Sequence, residues 1–183
     1  TLDLDHPDIE EYIGWKLSEE EKVSALVAGS AALQKHCNAV LGACWDGEEL
    51  SLDPQNNPAL KGAMIKAIQA SVPQPHLQRM LDLAKHGWKS VEFDVMDTDW
   101  QGEAYGTVSG QNSNNSVRVP EEFMDAVKSG GEWDLFFRVE KEKAANEGRA
   151  PVPHRSLDAA QLWNDIAYTA WACADPGLQF DTT

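Results

Sequence analysis

The stretch Ser109-Gly-Gln-Asn-Ser-Asn-Asn-Ser116 gathers short amides and hydroxyls in one run. Such side chains favour turns, because they hydrogen-bond the neighbouring backbone. They also offer several donors and acceptors to a ligand. Asn112, Ser113, Asn114 and Asn115 are therefore the candidate binding residues. A second cluster is acidic: Asp94, Asp97, Asp99 and Glu103. Calcium loops place carboxylates at alternate positions, a glycine at the sixth and a bidentate Glu at the twelfth. Asp97, Asp99 and Gly102 match that pattern, but Gln101 stands at the third ligand position and Val108 at the last. The expected reading is a solvated loop.

The other chemistry-bearing types are dispersed. His6, His36, His76, His86 and His154 have no His or Cys partner at helical spacing, which zinc ligation requires. Cys37, Cys44 and Cys173 form no C-x-x-C pair. Cys37 and Cys44 share an apolar helical stripe with Leu33, Val40 and Leu41 and read as small core residues. An odd cysteine count without paired spacing points to a reducing cytoplasm rather than a disulfide framework. No G-x-S-x-G, Walker loop or G-x-G-x-x-G occurs. Asn114-Asn115-Ser116 meets the N-glycosylation rule, which matters only in a secreted protein.

The elements that position these residues follow from periodicity. Leu2 and Leu4 alternate with Thr1, Asp3 and Asp5, a strand. His6-Pro7-Asp8 opens a helix with Ile9, Tyr12 and Ile13 on one stripe. Ser18 to Glu21 reads as a capping box for a second helix ending near Gly29. A third helix runs from Ser30 to Trp45. Helices are expected at about 58–71 and 75–87, after the Asp53-Pro54 break. Tyr105, Thr107 and Val108 read as a strand, and Ser116 to Val119 as another. A helix follows from Pro120 to Gly130, then a strand from Glu132 to Val139 with Trp133, Leu135 and Phe137 on one face. Residues 140–155 read as a charged, exposed loop. Ser156 is expected to cap a last helix through Leu162, Ile166, Thr169 and Trp171, and Leu178 to Asp181 alternates as a final strand.

Strands alternating with helices imply an α/β fold with a mainly parallel sheet. The organisation expected is a single partial domain over 1–183, with a helical elaboration at about 7–87 and a strand–helix portion at about 104–183. Strand patterns under way at both ends mark an internal piece of a larger protein. The 183 residues, 42% apolar and with seven Trp, suffice for a packed core. The formal net charge of −15 disfavours nucleic acid and anionic membrane. The most basic stretch, Arg138 to Arg155, is diluted by Glu140, Glu142 and Glu147. No apolar run approaches the roughly 20 residues that span a bilayer.

At the polar run a family resemblance emerges. SGQNSNNSVRVPEEFMDAV, TLDLDHPDIEEYIGWKLSEEEKVSALVAGS and LWNDIAYTAWACADPGLQFDTT together resemble the catalytic α subunit of adenosylcobalamin-dependent (class II) ribonucleotide reductases, in the same order and over nearly the whole chain. The resemblance implies part of a ten-stranded α/β barrel. It implies a parent enzyme that makes 2′-deoxyribonucleotides by thiyl-radical chemistry, with adenosylcobalamin as the parent's cofactor and none expected for the isolated segment. It implies that Asn112 to Asn115 feed a barrel strand and either line the nucleotide cavity or brace the family's loop that is missing from this chain. The family's radical cysteine lies in an Asn-Pro-Cys context; here Asn57-Pro58 is followed by Ala59. The resemblance places that cysteine beyond Thr183, and a redox cysteine and the specificity loop before Thr1. Cys37, Cys44 and Cys173 match none of the family's positions, so no catalytic residue is assigned. The expected partners are the remaining reductase segments, or further copies joined through open sheet edges, and a nucleotide substrate in the parent. Two alternatives stand beside this: a stand-alone binding domain that keeps the scaffold, and an acidic-loop metal binder.

Overall fold

The computed structural model describes residues 1–181; Thr182 and Thr183, where the C-terminal strand pattern stops, lie outside the described residues. The elements in chain order are β1 (Leu2–Asp3), α1 (Ile9–Ala43), β2 (Trp45–Asp46), β3 (Glu49–Leu50), α2 (Pro58–Gln69), α3 (Gln74–Lys85), α4 (Glu103–Gly106), β4 (Ser116–Val119), α5 (Glu121–Ser129), β5 (Glu132–Leu135), α6 (Arg138–Glu147), β6 (Arg155–Asp158), α7 (Ala159–Cys173) and β7 (Gly177–Phe180). The chain divides into two units, Thr1–Glu21 with Val108–Thr183, and Lys22–Thr107. α1 runs from the first into the second. The α/β class and a parallel sheet are as expected; among the described residues the strands do not close into a barrel.

The first unit is built on a three-stranded sheet in the order β1-β4-β7, all parallel. Leu2, Val117 and Leu178 are register partners, and so are Asp3, Arg118 and Gln179. Side chains alternate along a strand, so one face carries the apolar row and the other the polar row. On the apolar face Val117 and Val119 are buried with Leu4, Ile9, Ile13, Phe123, Leu162 and Ile166. α5 and α7 supply much of this core. α5 opens on Glu121 and Glu122, suited to the positive end of its dipole, and ends at Gly130. α7 buries Ala159, Leu162, Ile166 and Thr169 at helical spacing.

Several sequence expectations need correction here. α6 occupies much of the region expected to be a loop, because only Ala144 of that helix is buried and its charged residues give no apolar stripe. β5 ends at Leu135 rather than Val139: Phe136 donates its N–H to Asp5 O (2.8 Å) and leaves the ladder. Phe137 is half exposed. β6 was not foreseen; it pairs antiparallel with β5. Asp158, not Ser156, caps α7, its carboxylate accepting from Gln161 N (2.8 Å). Trp171, expected on the helix's apolar stripe, is 81% exposed.

α1, shared between the two units, is one continuous helix of 35 residues where three were expected. A lone mid-helix glycine costs only about 1 kcal/mol relative to Ala, which does not break a helix packed on either side of Gly29. Ser30 starts no helix: its hydroxyl donates to Val27 O (3.0 Å) and accepts from Met96 N (3.0 Å). Cys37, Val40, Leu41 and Cys44 are fully buried with Leu60, Leu77 and Met80, as the stripe predicts. The expected strand at Tyr105 is instead α4, a single helical turn with buried Ala104, closed by Thr107 Oγ1 donating to Ala104 O (2.7 Å).

Candidate functional site

Parallel α/β sheets take ligands outside the carboxyl ends of their strands. Here those ends are marked by charged residues. Asp3 ends β1, Asp5 follows it, Arg118 lies near the end of β4, and Asp181 follows β7. Arg138 and Lys141 reach in from α6. With Leu4, Pro120, Glu122 and Trp133 they line a cleft of about 340 Å³.

The six charged residues form one alternating chain. Asp181 Oδ1 lies 3.6 Å from Arg118 Nε, and Arg118 Nη1 lies 3.1 Å from Asp3 Oδ1. Arg138 Nη2 donates to Asp3 Oδ2 (2.7 Å) and to Asp5 Oδ1 (2.8 Å). Arg138 Nη1 and Lys141 Nζ both donate to Asp5 Oδ2. Burial alone would raise the Asp5 carboxyl, but the bonds from Arg138 and Lys141 outweigh it and hold it below the usual range. The Asp5 hydrogen bond raises the Arg138 guanidinium further. Both shifts favour the charged forms, so the Asp5 carboxylate accepts hydrogen bonds and the Arg138 guanidinium donates them, and neither is suited to shuttle protons. Sequence reasoning missed the cluster. Asp3 and Arg118 were visible as polar members of alternating strands, whereas Arg138 fell in the strand expected over Glu132 to Val139 and Lys141 in the supposed loop.

The sequence-predicted run lies at the opposite, amino ends of β4 and β7. Ser113 and Gly110 form a turn (N–H to O 2.9 Å, Oγ to O 2.7 Å). Gly110 adopts φ +68°, and a Cβ there would come within 3.1 Å of the Trp15 ring, so a larger residue is disfavoured twice over. Lys16 Nζ donates to Ser113 O and pairs with Asp175. Ser109 N donates to Glu19 Oε2 (2.8 Å). Asn115 is buried, and its carbonyl accepts from Gly177 N (2.9 Å), while Asn112 and Asn114 are exposed. The run is thus joined to α1 and β7.

In the second unit the acidic loop binds its own backbone. Asp97 Oδ1 accepts from Asp99 N (3.0 Å), and Asp99 Oδ1 from Gln101 N (3.0 Å). Among the described residues no three His, Cys, Asp or Glu side chains converge to hold a metal ion. Burial pushes the Cys37 and Cys44 thiols up, which disfavours the reactive thiolate. No helix among the described residues is long and apolar enough to cross a membrane.

Comparison with known proteins agrees with this architecture. The family model described as "Ribonucleotide reductase, barrel domain" matches residues 1–183. The chain is 48% identical to a vitamin B12-dependent ribonucleotide reductase of Bradyrhizobium diazoefficiens and 45% identical to one of Agrobacterium fabrum, in each case over all of this chain and 14% of the relative. A protein of the same description from Streptomyces avermitilis is 29% identical over all of this chain and 11% of its own length. The chain therefore spans a small part of the relatives it matches. On these matches and its parallel α/β sheet, the chain belongs to the ribonucleotide reductase barrel-domain family.

Proposed function

We propose that this chain is a portion of a vitamin B12-dependent ribonucleotide reductase, contributing strands to the barrel of an enzyme that converts ribonucleotides to 2′-deoxyribonucleotides for DNA synthesis. The observation that carries this is the full-length match to the barrel-domain family together with relatives 45–48% identical throughout. The finer reading is a ten-stranded barrel, adenosylcobalamin as the cofactor, and a thiyl radical as the agent that activates the substrate. Residues 1–183 hold no Asn-Pro-Cys sequence, so the radical cysteine belongs to other segments of the parent, which are this chain's partners. The three cysteines are free, in keeping with a reducing cytoplasm.

Cobalamin does not fit the strand-end cleft of this chain. The strand-end cleft, about 340 Å³, sits at the low end for even a drug-sized ligand. Its lining includes no imidazole or thiol, and its cations are paired with carboxylates. No step through the cofactor is assigned to these residues. Within the chain Ser113 and Asn115 use backbone carbonyls to hold α1 and β7; in the parent enzyme Asn112 to Asn115 are proposed to line the nucleotide cavity or to brace the loop that lies outside residues 1–183.

The test is direct. The complete coding sequence containing this chain, expressed and supplied with adenosylcobalamin and a dithiol, should convert a ribonucleoside di- or triphosphate to its deoxy form by chromatography. Residues 1–183 alone should give no product. Failure of the complete protein with every common ribonucleotide would overturn the reading.

A further inference from the structure

Charge is unevenly distributed along this chain. Thirty acids oppose fifteen lysines and arginines. Yet no Asp or Glu occurs between Glu21 and Asp46, or between Asp53 and Asp82. These stretches hold the second-unit part of α1, all of α2 and most of α3. Their cations are Lys22, Lys35, Lys61, Lys66 and Arg79. An acidic chain thus carries an acid-free group of helices.

A groove of about 450 Å³ opens on these helices, between α1 and α2. Ala39, Ala59, Gly62 and Ala63 line it with small groups. Lys35 and Lys66 add ammonium groups, and His36 an imidazole. No carboxylate lines it. Lys85 and Lys89 of the same unit are paired with Asp82 and Glu48. Lys35 and Lys66 have no carboxylate partner among the described residues. Beside the groove α2 exposes Ile65 and Ile68, at 46% and 59%. Ile65 follows Gly62 by one turn, so the apolar surface continues out of the groove. Apolar surface rimmed by polar groups marks an interaction site.

Small side chains let a second helix come close, within the roughly 8–10 Å of packed helices. Such a groove takes the apolar face of an amphipathic helix. Its ammonium groups select carboxylates beside that face. We infer that the groove between α1 and α2 docks an acidic amphipathic helix of a partner protein. The helix's apolar face lies on Ala39, Gly62 and Ala63, and its flanking carboxylates meet Lys35 and Lys66. A second copy of this chain offers no such helix. α5 and the first turns of α1 are acidic but already bury their apolar faces in the first unit's core. α6 has no apolar stripe to offer. The inference goes beyond the reductase reading and does not depend on turnover.

The experiment uses the complete protein that contains this chain and three synthetic helical peptides of about 14 residues, roughly 21 Å long. All three carry the same Ala and Leu face, flanked by Glu, Gln or Lys. Fluorescence anisotropy should show the Glu peptide binding about tenfold tighter than the Gln peptide, and the Lys peptide weakest. Lys35 and Lys66 are exposed, so their joint reversal, Lys35→Glu with Lys66→Glu, spares the core and should invert that order. Gly62→Gln tests the surface itself. A Cβ at Gly62 meets nothing within 4 Å, so the new side chain enters the groove, and both the Glu and Gln peptides should bind about tenfold more weakly. Lys128→Glu on α5 should change nothing. Equal binding of the three peptides, an unchanged order in the double reversal, or undiminished binding in Gly62→Gln with wild-type circular dichroism would each overturn the inference. So would a complete protein that ignores the Glu peptide, because its groove would then be closed by another segment or a second copy.

Discussion

The two units use their polar side chains in opposite ways. In the second unit, amides tie irregular backbone to helices. Asn38 donates to Val91 O (2.9 Å) and accepts from Val91 N (2.8 Å). Asn57 accepts from Leu60 N (3.0 Å) while donating to Ala43 O (2.8 Å) and Ser51 O (3.1 Å). Each such group meets backbone partners and is closed off. In the first unit, the polar row on the sheet is joined by ion pairs between side chains and remains open. Neutral amides matched to backbone hold a shape; exposed charges add little stability but leave directional acceptors available. A polar group fully matched by backbone holds local structure, whereas the outward polar row is held only by its own ion pairs.

This contrast is broken most severely in the core of the first unit. Phe123 is fully buried and meets Trp133 edge-on, ring centroids 5.2 Å apart. Phe123→Ala should destabilise the unit by about 3–5 kcal/mol. Hydrogen exchange should show lost protection in β4, α5 and α7, with α2 and α3 unaffected; uniform loss throughout would contradict the division into two units. Next comes Asn57→Ala, which removes the α2 cap and strands two carbonyls, at about 2 kcal/mol. The loss should concentrate in the first turn of α2. Asn57→Asp, which keeps the cap but not the donors, should fall between the two, as read by urea denaturation.

Much of this was legible in the sequence. The parallel strands at Leu2 and Ser116, the buried cysteine stripe and the helix from Pro120 all follow from periodicity, because each buries one face. α1 misled because Ser18 and Glu21 carry a cap's residue types without the extended backbone a cap needs. α6 misled because a helix held by ion pairs to Asp5 shows no apolar period. The candidate site was harder. Asn112 to Asn115 stood out by composition, yet they sit at the amino ends of the strands. The charged chain at the carboxyl ends joins residues 3, 118, 138 and 181, a convergence that only the folded register creates.

The smallest effect probes the charged chain through pH. Asp5 is held below its ordinary value of 3.8. A carboxyl lowered on folding contributes stability that is complete above the unfolded pKa and disappears as pH falls through the folded one. Wild type should therefore exceed Asp5→Asn by about 1 kcal/mol at neutral pH, modest because Arg138 and Lys141 are about 40% exposed and solvent screens them. The gap should hold from neutral pH down to about 4, narrow below that value, and shrink further in high salt. Thermal melts of the two proteins across this range measure it. A gap that stayed constant into strong acid would mean that Asp5 acts through packing, and the chain would lose its role in holding the strand ends.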